Sequence, residues 1–539
     1  MVRETAAEIF KELNKEEKAF WFDLKEKKFL HQVDTFYYSV KLKNDFTSDS
    51  FDPSCIAFRQ FINDNLEKSE KFVWGESLPF YVEDFKESLN FLPKRFGRFY
   101  DACLSSPDMF DIFVARKVPL SADGEASVTP EIIVQLRSVM LWQYGISEAF
   151  RESFKTVEAV CKHFDLQIES VKENRTDFCW HTNYLQNPAK FFAPQKFNNR
   201  LVTRLGTGPR SNGTDVNYRF TFQKDGETEI NYIAIGNRGE KCFVRIYNKT
   251  KEVIQMGYKG WFLKEWLFNG MISRYDFDIY EKCYQSGSWK DKTKFRLEWY
   301  LEHGKKEFFK KDIRAILDGI ITPAPETLEK LANTLTPKLT VIMNVEYQVM
   351  RKMTKSIPML QVKDNSDKGV CKQIYDFIDN RPLIVKYLTK DTLRLVERTE
   401  ENKSRCEDCA FWSALRNTKF VDMKKLPDEL KVIRDYSRRI NSAVVRKRVI
   451  SSVITYSLYM NGIDNNQNGY EDAADIFCTL NDNDIINMRR IKEKRKKQLN
   501  KELFSGAMPK RQHTVSIYDN QTGEILGGDQ YDFTDLIEE

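Results

Sequence analysis

The sequence predicts an α+β protein built on a central antiparallel sheet, and three observations carry that prediction. Between Leu166 and Trp299, strand-like runs alternate with polar turns, whereas apolar residues on either side recur mainly at helical spacing. The stretch Tyr232 to Glu252 contains two short apolar runs flanking Gly236 to Lys241, the pattern of a β-hairpin with a glycine-containing loop. In its second strand, alternation places Phe243, Arg245 and Tyr247 on one face and Val244, Ile246 and Asn248 on the other.

Taken in order, residues 1–160 read as a mostly helical region with one early strand. Thr5 to Lys28 has the spacing of an amphipathic helix, and Val33 to Leu42 is rich in β-branched and aromatic residues. Pro53 to Arg116 reads as mostly helical, interrupted at Pro79, Pro93 and Pro107, and Leu120 to Pro130 as a surface loop. Pro130 to Phe164 reads as one or two helices. Residues 161–305 form the expected sheet core, with helices on one face. Its strands are Thr176 to Thr182, Val216 to Gln223, Ile230 to Ile235, Cys242 to Tyr247, Ile272 to Tyr280 and Lys294 to Leu301, with a helix at Lys259 to Phe268. The loop Thr203 to Asp215, with Gly206, Gly208, Gly213, Arg204 and Arg210, has no Walker pattern and reads as a mobile hairpin loop. Residues 306–505 read as a helical domain entered through the linker Thr322-Pro-Ala-Pro-Glu326. Residues 506–539 read as a small hairpin at Thr514 to Leu526 followed by an acidic flexible tail.

Composition narrows the class. A chain of 539 residues exceeds one ordinary core, and 41% hydrophobic with 30% charged residues describes a folded protein rather than a disordered one. No apolar run is long enough for a bilayer, and the first residues (Glu4, Glu8, Lys11, Glu12) lack the apolar segment of a secretory signal, so a cytoplasmic protein without a membrane partner is expected. The ten cysteines, Cys406 and Cys409 of a lone Cys-x-x-Cys among them, are expected as free thiols. Net charge is only +6, so nucleic-acid binding has to come from local clusters such as Arg446, Lys447 and Arg448, or Arg489, Arg490 and the basic run after them.

The chemistry-bearing residues concentrate in the core. A tyrosine on a stiff strand beside Arg245 and Lys249 suits attack on a phosphodiester, with the cations holding the phosphate. Arg-x-acid steps recur at Arg175-Thr-Asp177, Arg274-Tyr-Asp276 and Arg296-Leu-Glu298. Gathered on one sheet, their acids could hold a hard divalent cation; taken singly, each step reads as a salt bridge on a solvated face. The five histidines, His31, His163, His181, His303 and His513, are too far apart in sequence for the paired-histidine nicking site, and His181 reads as a hydrogen-bonded strand histidine.

The succession Arg-x-Asp, Ile235-Gly-Asn-Arg-Gly239, Val244-Arg-Ile-Tyr-Asn-Lys249 and Arg-x-acid, over about Arg175 to Glu298, resembles the Rep-trans family of rolling-circle plasmid replication initiators and conjugative-element relaxases. The chain departs from that pattern in having His181 or Asn183 where the first motif ends in a second acid, and in carrying the last Arg-x-acid step twice. The resemblance implies a nickase-like core in which Tyr247 is the nucleophile and Arg238, Arg245 and Lys249 lie near the scissile phosphate. It also implies Mg²⁺ or Mn²⁺ held by Asp177 with Asp276 or Glu298. The implied activity is tyrosine attack at an origin, giving a 5′-phosphotyrosine and a free 3′-hydroxyl. The implied partner is DNA, single-stranded at the nick and held elsewhere by Arg204, Arg210 and the basic clusters. A helicase or other replisome protein, and a second copy of the chain, are further expected partners. The alternative is an initiator that binds DNA without cutting it.

Overall fold

The computed structural model describes residues 15–421, apart from 24–26, 48–50, 71–77, 81–88, 107–108, 119–128, 206–215, 223–227, 257–258, 305–306 and 358–373, and beyond 421 chiefly 484–492, 513–514, 517–518, 525–527 and 530–531. Its strands are β1 (Phe29–Leu42), β2 (Leu78–Phe80), β3 (Leu89–Leu92), β4 (Tyr100–Ser106), β5 (Phe110–Ala115), β6 (Ile132–Leu136), β7 (Ile168–Thr182), β8 (Leu201–Thr203), β9 (Val216–Phe222), β10 (Thr228–Ile235), β11 (Cys242–Asn248), β12 (Met343–Met350) and β13 (Leu393–Leu395). Eleven of them make one sheet in the order β2-β3-β4-β5-β6-β1-β7-β12-β11-β10-β9, and β8 pairs with β13 apart from it. Every neighbouring pair in the large sheet is antiparallel. The chain is α+β, as its patterning predicts.

The spine is the pair β1 and β7, 14 and 15 residues long, joined along most of their length. Their register shifts between Val33 and Thr35, so Asp34 is an extra residue in a bulge, a feature that re-aims a side chain. On the other side of β7, β12 pairs with it from Met343–Thr182 to Met350–Arg175, and β12 in turn pairs with β11 from Cys242–Val349 to Asn248–Met343. The β10–β11 hairpin follows, turning at Gly236 and Gly239, both at positive φ. A Cβ at Gly236 would also press on the Cys242 carbonyl at 3.3 Å.

The principal helices are α1 (Lys15–Phe22), α2 (Pro53–Glu70), α3 (Ser138–His163), α4 (Lys249–Met256), α5 (Trp261–Phe268), α6 (Arg274–Ser286), α7 (Lys292–His303), α8 (Glu307–Leu317), α9 (Pro325–Leu335), α10 (Ile374–Tyr387) and α11 (Ala410–Asn417). Helices cover both sheet faces rather than one. Leu30 and Cys179 share a core with Val253 of α4, Trp266 of α5, Tyr280 of α6 and Trp299 of α7. On the opposite face, Phe36 stacks on Phe377 of α10, and Tyr38 meets Phe150 of α3 edge-on. No described helix is long and apolar enough to cross a membrane.

Three expectations are corrected. The described residues of 1–160 are not mostly helical: β1 to β6 supply one half of the sheet, and the boundary at 160 vanishes because β1 hydrogen-bonds directly to β7. Runs such as Tyr100–Ser106 are too short for periodicity to separate strand from buried helix, and pairing with neighbours decides. Ile272 to Tyr280 and Lys294 to Leu301 are helices. Ser273 and Asp276 form a reciprocal capping box at the start of α6, and Gly287 at φ 67 ends it. Finally, Met343–Met350 is a central strand inside the region expected to be helical.

By its internal contacts the chain separates into two compact units, residues 1–69, 77–433 and 531–539 in one, and 70–76 with 434–530 in the other. The sheet belongs to the first. In the second, 484–492 is helical and Ile517–Tyr518 pairs antiparallel with Ile525–Gly527, within the stretch expected to form a hairpin. The Arg446 to Arg448 cluster lies outside the described residues, as do Arg210 and the glycines of its loop.

Because β12 is bonded on both sides and β9 lies at the sheet edge, amide exchange in 343–350 should be as slow as in 176–182 and slower than in 216–222. Peptide-resolved hydrogen exchange measures this, and fast exchange across 343–350 would contradict a central position.

Candidate active site around Tyr247

β11 carries Arg245 and Tyr247 side by side on one sheet face, opposite Glu346 and Asn344 of β12. Alternation along Met343-Asn-Val-Glu-Tyr-Gln-Val-Met350 puts Asn344, Glu346 and Gln348 on that face, while Val345, Tyr347 and Val349 enter the core behind it. The Tyr247 hydroxyl donates to Glu346 Oε2 at 2.8 Å. It accepts from Asn344 Nδ2 at 2.9 Å and from Lys249 Nζ at 3.3 Å. Arg245 is bonded to the other oxygen of Glu346, and its guanidinium lies 3.9 Å from Asp177 Oδ2. Asp177 is gripped by both arms of Arg175, at 2.9 and 2.7 Å. The Tyr247 side chain remains half-buried rather than enclosed.

A second group of charges adjoins the first. Lys249 opens α4 directly after β11, and its ammonium is fully buried. It meets Glu252 at 2.8 Å, one helical turn on, and the bulged Asp34 at 3.6 Å. Lys259 reaches the same two acids, at 3.2 and 3.7 Å, and Trp142 Nε1 donates to Asp34 at 3.3 Å. The site is thus a chain of alternating charge running Arg175, Asp177, Arg245, Glu346, the Tyr247 hydroxyl, Lys249, Asp34 and Glu252, and Lys259.

The electrostatics follow from this alternation. Burial, reinforced by Glu346, holds the Tyr247 phenol well above its usual range, while Lys249 and Arg245 pull it down. For Lys249, burial opposes the charge, but Asp34 and Glu252 overcome it and the ammonium is held above its ordinary value. Asp34 and Glu252 respond in mirror image: burial alone would raise them, and Lys249 and Lys259 bring both below the usual carboxylate range. Arg245 is likewise kept charged against burial, chiefly by Glu346.

The sequence-predicted residues divide. Tyr247, Arg245, Lys249 and Asp177 come together. Arg238 lies in the hairpin turn, its guanidinium 5.5 Å from the Phe243 ring centroid. Asp276 and Glu298 do not join them. Asp276 is spent on the α6 cap, accepting from Ser273 N and Oγ at 3.0 and 2.8 Å and from Thr340 N at 2.8 Å. Glu298 faces Lys294 on α7 at 3.8 Å. Arg296 is tied to Thr336, Asn333 and nearby carbonyls, so it anchors the end of α9. Arg204 is exposed beside β8, and Arg489 and Arg490 are exposed on the helical stretch 484–492 of the second unit. Among the described residues no three His, Cys, Asp or Glu side chains are grouped to hold a metal ion. Beside Tyr247 the Arg245 guanidinium lies between Glu346 and Asp177, Lys249 and Lys259 hold Glu252 and Asp34, and Asp276 and Glu298 lie elsewhere, so the expected Mg²⁺ or Mn²⁺ ligand set does not fit this arrangement. His181 is neutral, pushed down by burial, and accepts from Trp266 Nε1 at 3.3 Å while stacking on Trp142.

Sequence reasoning missed Glu346, Asn344 and Asp34. Strict alternation over Met343–Met350 was the available signal for the first two; Asp34 is placed by a bulge that no local pattern announces.

No protein-family model matches the chain, and no curated protein matches it in sequence. Among solved structures, it is similar to a rolling circle replication initiator protein from Geobacillus stearothermophilus, at 10% identity and a TM-score of 0.30, over 72% of this chain and 95% of that one. At that level of likeness, function has to be argued from the site itself.

Replacing Lys249 by Met leaves Asp34 and Glu252 short of a counterion in the interior and should lower unfolding free energy by about 3–5 kcal/mol, measured by denaturant titration. Asp34 has a native pKa below its ordinary 3.8, so its contribution is present above about pH 4 and is lost as pH falls. Between pH 6 and pH 3, stability should therefore fall less steeply in Asp34→Asn than in the unaltered protein.

Proposed function

We propose that the protein cuts one strand of DNA by attack of Tyr247 on a phosphodiester, as a replication initiator or relaxase would. The observation that carries this reading is the Tyr247 hydroxyl, half-buried on a rigid strand, donating to Glu346 at 2.8 Å with Lys249 at 3.3 Å and Arg245 alongside. Glu346 is the base that takes the phenolic proton. The phenolate oxygen forms the new bond to phosphorus, the P–O3′ bond breaks, and the departing oxygen takes a proton from water to become the 3′-hydroxyl. Arg245, on the strand, faces the negative charge that builds on the phosphate oxygens, while buried Lys249, at the helix start, holds the phenol oxygen from behind. Tyr232, directly across from Tyr247, and Arg238 on the turn border the same side.

The second reading, a DNA-binding initiator that does not cut, is favoured by one observation: each acid of the site already has a protein cation, as in a purely structural charge network. A homodimer and a helicase or other replisome partner belong to either reading.

The two separate in one assay. Supercoiled plasmid carrying the cognate origin, with and without Mg²⁺ or Mn²⁺, should be nicked, and protein should remain covalently attached to the 5′ end. Tyr247→Phe should abolish both, and Glu346→Gln should slow nicking roughly 10²–10⁴-fold with DNA retention unchanged. Retention of the plasmid without nicking by the unaltered protein under every condition would leave only the non-cutting reading.

A further inference from the structure

Beyond Thr182 the chain leaves β7 at the end of the sheet where β11 delivers Tyr247, and enters two proline-started helical turns, Pro188–Phe191 and Pro194–Arg200. The first turn packs against β10, the partner of the Tyr247 strand. Together with the segment after β13, these turns wall a recess of about 500 Å³ whose lining includes Lys190, Lys196, Arg200, Arg398, Glu397 and Phe191. Four cations therefore face one carboxylate. Lys190, Lys196 and Arg398 are exposed, so their charges are available to a ligand. Arg200 is held differently: its guanidinium lies 4.8 Å from the Phe191 ring centroid and reaches Glu397 at 3.4 Å. The Phe191 ring is itself braced against Phe411 at 5.2 Å.

We propose that this recess seats a segment of single-stranded DNA, a base lying against the Phe191–Arg200 platform and the flanking phosphates meeting Lys190, Lys196 and Arg398. Every base has a π-face that aromatic and guanidinium groups can stack on, and unpaired bases alone can enter a recess of this size, since a duplex keeps its bases stacked inside. The excess of exposed cations suits a phosphate backbone, and the platform supplies what an acidic peptide would not use. The site deepens the nicking reading by giving the strand a second hold, at the same end of the sheet but on the face to which Tyr347 and β13 belong, and binding at it needs no chemistry at Tyr247.

The test uses the full chain carrying Tyr247→Phe and a fluorescent oligothymidylate, with anisotropy read over a salt series. The triple variant Lys190→Ala, Lys196→Ala, Arg398→Ala should weaken binding at least about tenfold and reduce the slope of log K against log salt by about 2, as expected for three lost phosphate contacts. An oligonucleotide carrying 5-iodouracil should cross-link within 188–200 on irradiation, which reads the platform without altering Phe191. An unchanged affinity and slope, a cross-link elsewhere only, or equal competition by duplex DNA or polyglutamate would overturn the proposal. If the triple variant loses binding while the unaltered protein never nicks, the recess stands and the nicking reading falls.

Discussion

Buried charge around Tyr247 is tolerated because each ion there has its opposite within reach. An isolated carboxylate or ammonium taken out of water would neutralise or unfold its surroundings; alternated acid and base on a rigid face remain ionised. Arg245 between Glu346 and Asp177, and Lys249 between Asp34 and Glu252, are the two joints of that alternation. The phenol of Tyr247 sits where the two joints meet, bonded to the acid of one and the cation of the other.

That meeting depends on strand register more than on any single residue. Glu346 lies nearly a hundred residues beyond Tyr247 in sequence, and β12 brings it alongside only because Tyr247 pairs with Asn344 and Arg245 with Glu346. A slip of one residue would turn Glu346 into the apolar layer and present Val345 or Tyr347 to Arg245. The apolar side enforces the register: Val345, Tyr347 and Val349 are fully or almost fully buried, and the Tyr347 hydroxyl is fixed to the Leu393 carbonyl at 3.2 Å. The same packing that stabilises the sheet therefore aims the polar groups on its other side.

What was legible in the sequence was local. The hairpin, the shared face of Arg245 and Tyr247, and the strand holding Arg175 and Asp177 follow from alternation and turn chemistry, and the structure keeps all three. What misled was a repeated short motif. Arg175-x-Asp177 lies along a strand and pairs with itself, whereas Asp276 and Glu298 in the similar steps lie on helices, where i and i+2 do not share a face. Ile272 to Tyr280 reads as a strand in the sequence, but Ser273 and Asp276 cap a helix there, and its buried side chains recur at helical spacing as Tyr275, Ile279, Tyr280 and Cys283. Glu346 was hidden because β12 is a lone strand among helices, and Asp34 because a bulge, not a pattern, decides its direction.

On the nicking reading, the counterions that keep the resting site stable are also the groups a phosphodiester would claim. An approaching phosphate competes with Glu346 for Arg245, the more exposed of the two cations. As Arg245 turns toward the phosphate, Glu346 loses its counterion while still holding the phenolic proton at hydrogen-bond distance. Without DNA the phenol is kept protonated by burial and by the neighbouring acid, and both of its other contacts, from Asn344 and Lys249, occupy the oxygen that would attack. On that reading, substrate charge would supply the activation and confine the nucleophile to the complex in which its target is already seated.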